Sequence, residues 1–172
     1  MKRAIISNQT PNLLLLHYKS PQMTVQNLIL IPHFAFSLSC VQERKPLSNN
    51  ARRAGWVGCN FRLDRIPVDA KIPVIRDGTA LPANEVRAAY QRVRPLEALH
   101  TEKRGWTLDV LNVVRSLGKN AFALQEVYDC EDSLAKLHPR NRHIREKIRQ
   151  QLQVLRDLGF LKFSGSGNYR MC

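Results

Sequence analysis

The sequence predicts an α+β protein with strands concentrated in its first half and helices in its second. Three observations carry this. Short apolar runs bounded by turn residues fill positions 12–78. Beyond Gly105 the apolar spacing changes to a helical period. The chain then ends on an aromatic run, a glycine turn and a second short run, the pattern of a hairpin.

In the first half, residues 13–18 form one strand. Lys19, Ser20, Pro21 and Gln22 carry turn chemistry, and residues 23–31 form a second strand stopped by Pro32. Weaker strands are expected over 60–63 and 71–75, the latter closed by Arg76-Asp77-Gly78. A helix is expected over 84–93 with Asn84 as its cap, ending before Pro95. Residues 1–95 are read as one domain, 96–104 as a hinge and 105–172 as the second domain.

In the second half, Thr107 is expected to cap a helix to about Leu117, ended by Gly118-Lys119-Asn120. A small strand at 122–124 and a helix over 124–137 follow. Leu124, Val127, Tyr128, Leu134 and Leu137 are assigned to the core face. A third helix runs over 143–158, with Asn141 as cap and Gly159 past its end. At 100° per residue, Ile144, Ile148, Leu152 and Leu155 fall in one quarter of its wheel. His143, Glu146, Gln150 and Gln153 fall opposite, with Lys147 and Arg149 flanking them. Three helices followed by a hairpin is the order of a winged helix.

Charge points to a polyanion. Lysine and arginine outnumber acids 27 to 14, a formal charge of +13. Nine basic residues are concentrated near the end of the chain: Lys136, Arg140, Arg142, Arg145, Lys147, Arg149, Arg156, Lys162 and Arg170. Only Glu146 and Asp157 oppose them. A helix held by one apolar stripe, with amides and cations opposite, suits the major groove: glutamine can pair with adenine, and arginine or lysine with guanine or phosphate. The candidate DNA contacts are Asn141, His143, Lys147, Arg149, Gln150 and Gln153, with Lys162 and Arg170 on the hairpin. The alternative is an ordinary solvated face on a winged helix that binds protein. The hydrophobic fraction, 44%, is that of a globular chain. The four cysteines form no CxxC pair, which argues against a zinc ribbon and suits reduced thiols in the cytoplasm. No apolar run is long enough to cross a membrane, and no internal repeat is present.

Several runs resemble one family. These are Gly105-Trp106-Thr107-Leu108, the stretch from Asn141-Arg142-His143-Ile144 to Leu155-Arg156-Asp157, and Gly165-Ser166-Gly167-Asn168-Tyr169-Arg170. Upstream are Arg44-Lys45-Pro46-Leu47 and the segment Ala51-Arg52-Arg53-Ala54-Gly55-Trp56-Val57-Gly58-Cys59-Asn60. Together they resemble the DpnI type of restriction endonuclease, also called the Dam-replacing proteins. The resemblance implies a PD-(D/E)xK nuclease domain followed by a winged helix, and cleavage of GATC carrying N6-methyladenine. It implies magnesium and a structural zinc for full-length members. Their ligands precede the segment matching Met1, so neither cofactor is expected in this chain, which is read as N-terminally truncated. Asp64, Asp69 and Lys71 are not expected to replace the catalytic set, and Asp109, Asp129, Glu131 and Asp132 are placed on solvated faces.

In the family the tryptophan matching Trp56 is implicated in sensing methyl groups. Between Gly55 and Gly58 an indole offers a flat wall for a methylated base, and the neighbouring Arg52 and Arg53 suit phosphate. The alternative is a core tryptophan. Trp106 is expected in the core or at a domain interface. Three functional readings stay open: a methyl-directed endonuclease, a reader of double-stranded and methylated DNA without cleavage, and a transcriptional regulator. A monomer is expected in each.

Overall fold

The computed structural model describes residues 1–172. A short helix α1 (Lys2–Ile6) leads into a hairpin of β1 (Leu13–Lys19) and β2 (Thr24–Ile31). Two 3-10 turns, His33–Ala35 and Leu38–Cys40, carry the chain to β3 (Val41–Glu43). A long loop returns as β4 (Cys59–Phe61), paired with β3. After two more 3-10 turns come β5 (Ile72–Arg76), β6 (Thr79–Ala80) and α2 (Ala83–Val93). The second half holds α3 (Thr101–Ser116), β7 (Ala121–Ala123), α4 (Leu124–Tyr128), α5 (Glu131–Leu137), α6 (Ile144–Asp157), β8 (Leu161–Gly165) and β9 (Asn168–Met171).

The first sheet is antiparallel throughout, in the order β1-β2-β5-β6. Asp77 and Gly78, with φ of 49° and 79°, close the tight turn between β5 and β6, a geometry glycine adopts without Cβ strain. β1 lies at the sheet edge and leaves Leu14, Leu16 and Tyr18 exposed. The last sheet runs β7-β9-β8 and packs against the helices α3 to α6, completing a winged helix. A core of 20 buried residues joins α3, α6 and this sheet to Phe34, Ile72, Val93 and Leu96 of the first half. A smaller core gathers Ile5, Ile31, Phe36, Cys40 and Ile66.

Five expectations require correction. The 96–104 stretch is a 3-10 turn (Arg94–Ala98) followed by the first turn of α3, and Leu96 and Arg104 are buried. Thr107 is therefore no cap. It lies buried within α3, its hydroxyl 2.8 Å from both the Lys103 carbonyl and Gln151 Oε1. Gly105 sits inside the helix, where a Cβ would make an ordinary contact with Ser37 Cβ at 3.8 Å. The helix expected over 124–137 is two helices parted at Asp129-Cys130. Its five apolar positions span about half of a single helical wheel, and the break re-aims Leu134 toward the core that holds Val127 and Tyr128. Asn84 lies within the first turn of α2, with Pro82 at the capping position. Asp109, expected on a solvated face, is buried.

Candidate nucleic-acid interface

The face of α6 follows from its sequence. Ile144, Ile148, Gln151, Leu152, Val154 and Leu155 are buried, and His143, Glu146, Arg149, Gln150 and Gln153 are exposed. Burying four large aliphatic side chains fixes the helix to the domain, at about 1.5–3 kcal/mol each. Asn141 Oδ1 accepts from the His143 backbone N–H at 2.7 Å, just ahead of the helix. Gly159, at φ 81°, ends it.

The exposed polar face is partly pre-engaged. Gln150 Oε1 accepts from Lys147 Nζ at 3.0 Å and from Gln151 Nε2 at 3.2 Å. The Gln150 amide N–H groups remain free to donate. Pairing with adenine also needs the carbonyl, so Lys147 must give way for a two-bond contact. Lys147 is half-buried, its Nζ 6.0 Å from the Trp106 ring. Gln151 was not foreseen as a buried residue. Its place at the edge of the apolar arc was a usable signal, and its amide is satisfied by Gln150 and Thr107.

A second group of residues emerges only in three dimensions. Arg145, Arg149 and Arg156 share one flank of α6, about 40° wide on the wheel. Arg145 and Arg149 bracket the Tyr128 ring at 5.1 and 5.6 Å, and Arg149 Nε donates to the Tyr128 hydroxyl. Arg145 also pairs with Glu131 at 2.7 Å, which raises its pKa further. Of the three, the sequence pattern identified Arg149 alone. Arg145 and Arg156 enter that pattern only as charge.

Lys162 and Arg170 are brought together, directly opposite one another on β8 and β9. Like charges at that spacing repel in the free protein and favour a shared anion. They point to the exposed face of the wing sheet, away from the face that carries buried Phe122, Leu161 and Tyr169.

Arg52, Arg53 and Trp56 lie on a separate element, the loop between β3 and β4. Backbone bonds from Arg44 to Gly58, Leu47 to Trp56 and Gly55 to Leu47 order this loop. Trp56 is 55% exposed, so it is not a core residue. Its ring lies over Gly58, where an added Cβ would come within 3.0 Å of Cζ3. Trp106 behaves oppositely: it is buried and stacked on His138 at 3.5 Å.

His138 in turn meets Asp109, a residue expected on a solvated face. Its carboxylate is buried, because its face of α3 meets the 37–40 turn of the first half. It accepts from Ser39 Oγ at 2.6 Å and Ser37 Oγ at 3.3 Å, and lies 2.9 Å from His138 Nε2. This group ties the first half to the turn that precedes α6. It borders a cleft of about 710 Å³ that also reaches Glu102, Arg140 and Asn141.

Asp64 and Asp69, the acids nearest Lys71, do not fit the magnesium site that the resemblance implies. Asp64 is bonded by Arg62, which holds its carboxyl below the usual range. Asp69 is held by both Nε and an Nη of Arg115. No three His, Cys, Asp or Glu side chains converge as a metal-binding group. No helix is long and apolar enough to cross a membrane.

Two stretches of the chain match known families. Residues 102–171 match the Dam-replacing helix-turn-helix domain, whose span covers α3 through β9. Residues 1–99 match the Dam-replacing family itself, and this match alone takes in more than half of the chain. The chain, with its basic winged helix behind an antiparallel sheet, therefore belongs to the DpnI-like Dam-replacing family.

Proposed function

We propose that this chain binds double-stranded DNA through α6 and the wing, reads GATC bearing N6-methyladenine, and does not itself cleave it. The observation that carries the reading is α6: one face buried, the other offering Gln150, Gln153 and His143 between Lys147 and the Arg145–Arg149 flank. The net charge of +13 supplies the attraction to phosphate. Trp56, exposed on its arginine-bearing loop, is the candidate wall for the methyl group. Hydrolysis by a carboxylate-held metal needs free acidic side chains that converge, and Asp64, Asp69 and Asp109 are each engaged by other protein groups. Binding itself draws on no metal in this scheme.

A gel shift with methylated, hemimethylated and unmethylated GATC duplexes tests it, in EDTA and in magnesium. The expected result is a shift in both buffers, strongest with full methylation, and an intact methylated plasmid in magnesium. Equal shifts on all three duplexes would remove the methyl preference. Metal-dependent cutting that copurifies with the protein would remove the claim of binding without cleavage.

A further inference from the structure

An aromatic ladder crosses the wing sheet and leaves its core. Phe122 on β7, Tyr169 on β9 and Phe163 on β8 are paired in register on one face of the sheet. Phe122 stacks on Tyr169 at 5.7 Å, and Tyr169 meets Phe163 at 5.2 Å. Exposure rises along the ladder, from 3% through 9% to 50%. Phe163 is thus a large apolar side chain in water, held from behind by a fixed ring. It sits on the edge strand, two residues before a turn set by Gly165, Ser166 and Gly167, all at positive φ.

The surroundings are cationic. Arg149 and Arg156 are exposed on one flank of α6, the helix that packs against β8. Lys162 and Arg170 occupy the reverse face. No acidic residue lies on β8, β9 or the turn between them. An apolar contact with a protein partner would leave these cations flanking it without partners of their own. A nucleic acid satisfies both at once, with phosphates for the cations and a base step for the ring.

Resting on the DNA-binding reading above, we propose that Phe163 is an apolar wedge that the wing inserts against a base step in the minor groove beside the site read by α6. The flanking cations hold the two backbones, and the Tyr169 ring keeps Phe163 from folding back when it meets the bases. The wedge contributes affinity without neutralising phosphate.

The test uses the full chain and duplexes carrying 2-aminopurine at successive steps around the binding site. Wild type is expected to raise the fluorescence at one step outside the α6 contacts, as that step unstacks. Phe163→Ala should abolish the rise and weaken binding about 5- to 160-fold, the range for loss of one aromatic–base contact. Its salt dependence should keep the wild-type slope. Phe163→Leu, still an apolar wedge, should keep most of both signals and controls for folding. Unchanged affinity and an unchanged fluorescence profile in Phe163→Ala would overturn the proposal. So would weaker binding with no step unstacked in wild type. Absence of DNA binding by wild type would instead overturn the reading on which the proposal rests.

Discussion

Replacing Asp109 with alanine removes the one acceptor shared by three donors. Ser39, Ser37 and His138 Nε2 all converge on its buried carboxylate. Leaving a buried donor unsatisfied costs about 1–3 kcal/mol, but the three losses do not add. The two serine hydroxyls are 2.6 Å apart and can satisfy one another in part. His138 is 19% exposed and can turn toward water. We therefore expect Asp109→Ala to cost about 2–4 kcal/mol, below the upper end for breaking a buried charged pair. In urea, with a slope of about 2 kcal/mol/M, the midpoint should fall by roughly 1–2 M at constant slope. Asp109→Asn keeps the shape and one acceptor and should cost less. It also removes a charge. Burial, with a smaller contribution from Asp109, pushes the Cys40 thiol up to about 11, so the asparagine variant should titrate Cys40 at a lower pH. An Asp109→Ala variant within about 0.5 kcal/mol of wild type, the range of an ordinary surface change, would refute this account of the group.

Gly58→Ala should displace the Trp56 ring, since the new Cβ would fall 3.0 Å from it; tryptophan emission should shift and any preference for methylated GATC should fall, with little change in melting temperature. Gln150→Ala should relax discrimination at one base pair by about 1–3 kcal/mol, read from a panel of single-substitution duplexes; equal loss on every duplex would assign Gln150 to a different role. Toward a thiol reagent at pH 8, Cys59 and Cys172 are exposed and should react first, while buried Cys40 should react only on unfolding, as mass spectrometry of the labelled chain would show.

The parts of this fold that depend on local chemistry were legible in the sequence. The β1–β2 hairpin, the turn at Asp77-Gly78, α6 with Gly159 after it, and the wing all stand within a residue or two of expectation. Elements shaped by packing were not. Gly105 reads as the boundary after which helices begin, yet it lies inside α3, which starts at Thr101. Thr107 reads as a cap until Gln151 is found facing it. Asp109 reads as solvated because nothing in a single chain pattern brings Ser39 and His138, 70 and 29 residues away, to one carboxylate. The candidate site divides the same way. The helical period exposes His143, Gln150 and Gln153, whereas the place of Tyr128 between Arg145 and Arg149, and the emergence of Phe163, require the packing of α4 and the wing against α6.

The measurement closest to the central claim is the affinity of the chain for a methylated GATC duplex, by fluorescence anisotropy, across a salt series. A basic α6 and wing that engage roughly four to six phosphates predict a log–log slope of about −4 to −5, and a slope less steep by about one in a Lys162→Ala or Arg149→Ala variant that has lost a phosphate contact. A slope flatter than about −1, unchanged by either substitution, would contradict electrostatic binding of DNA by this winged helix.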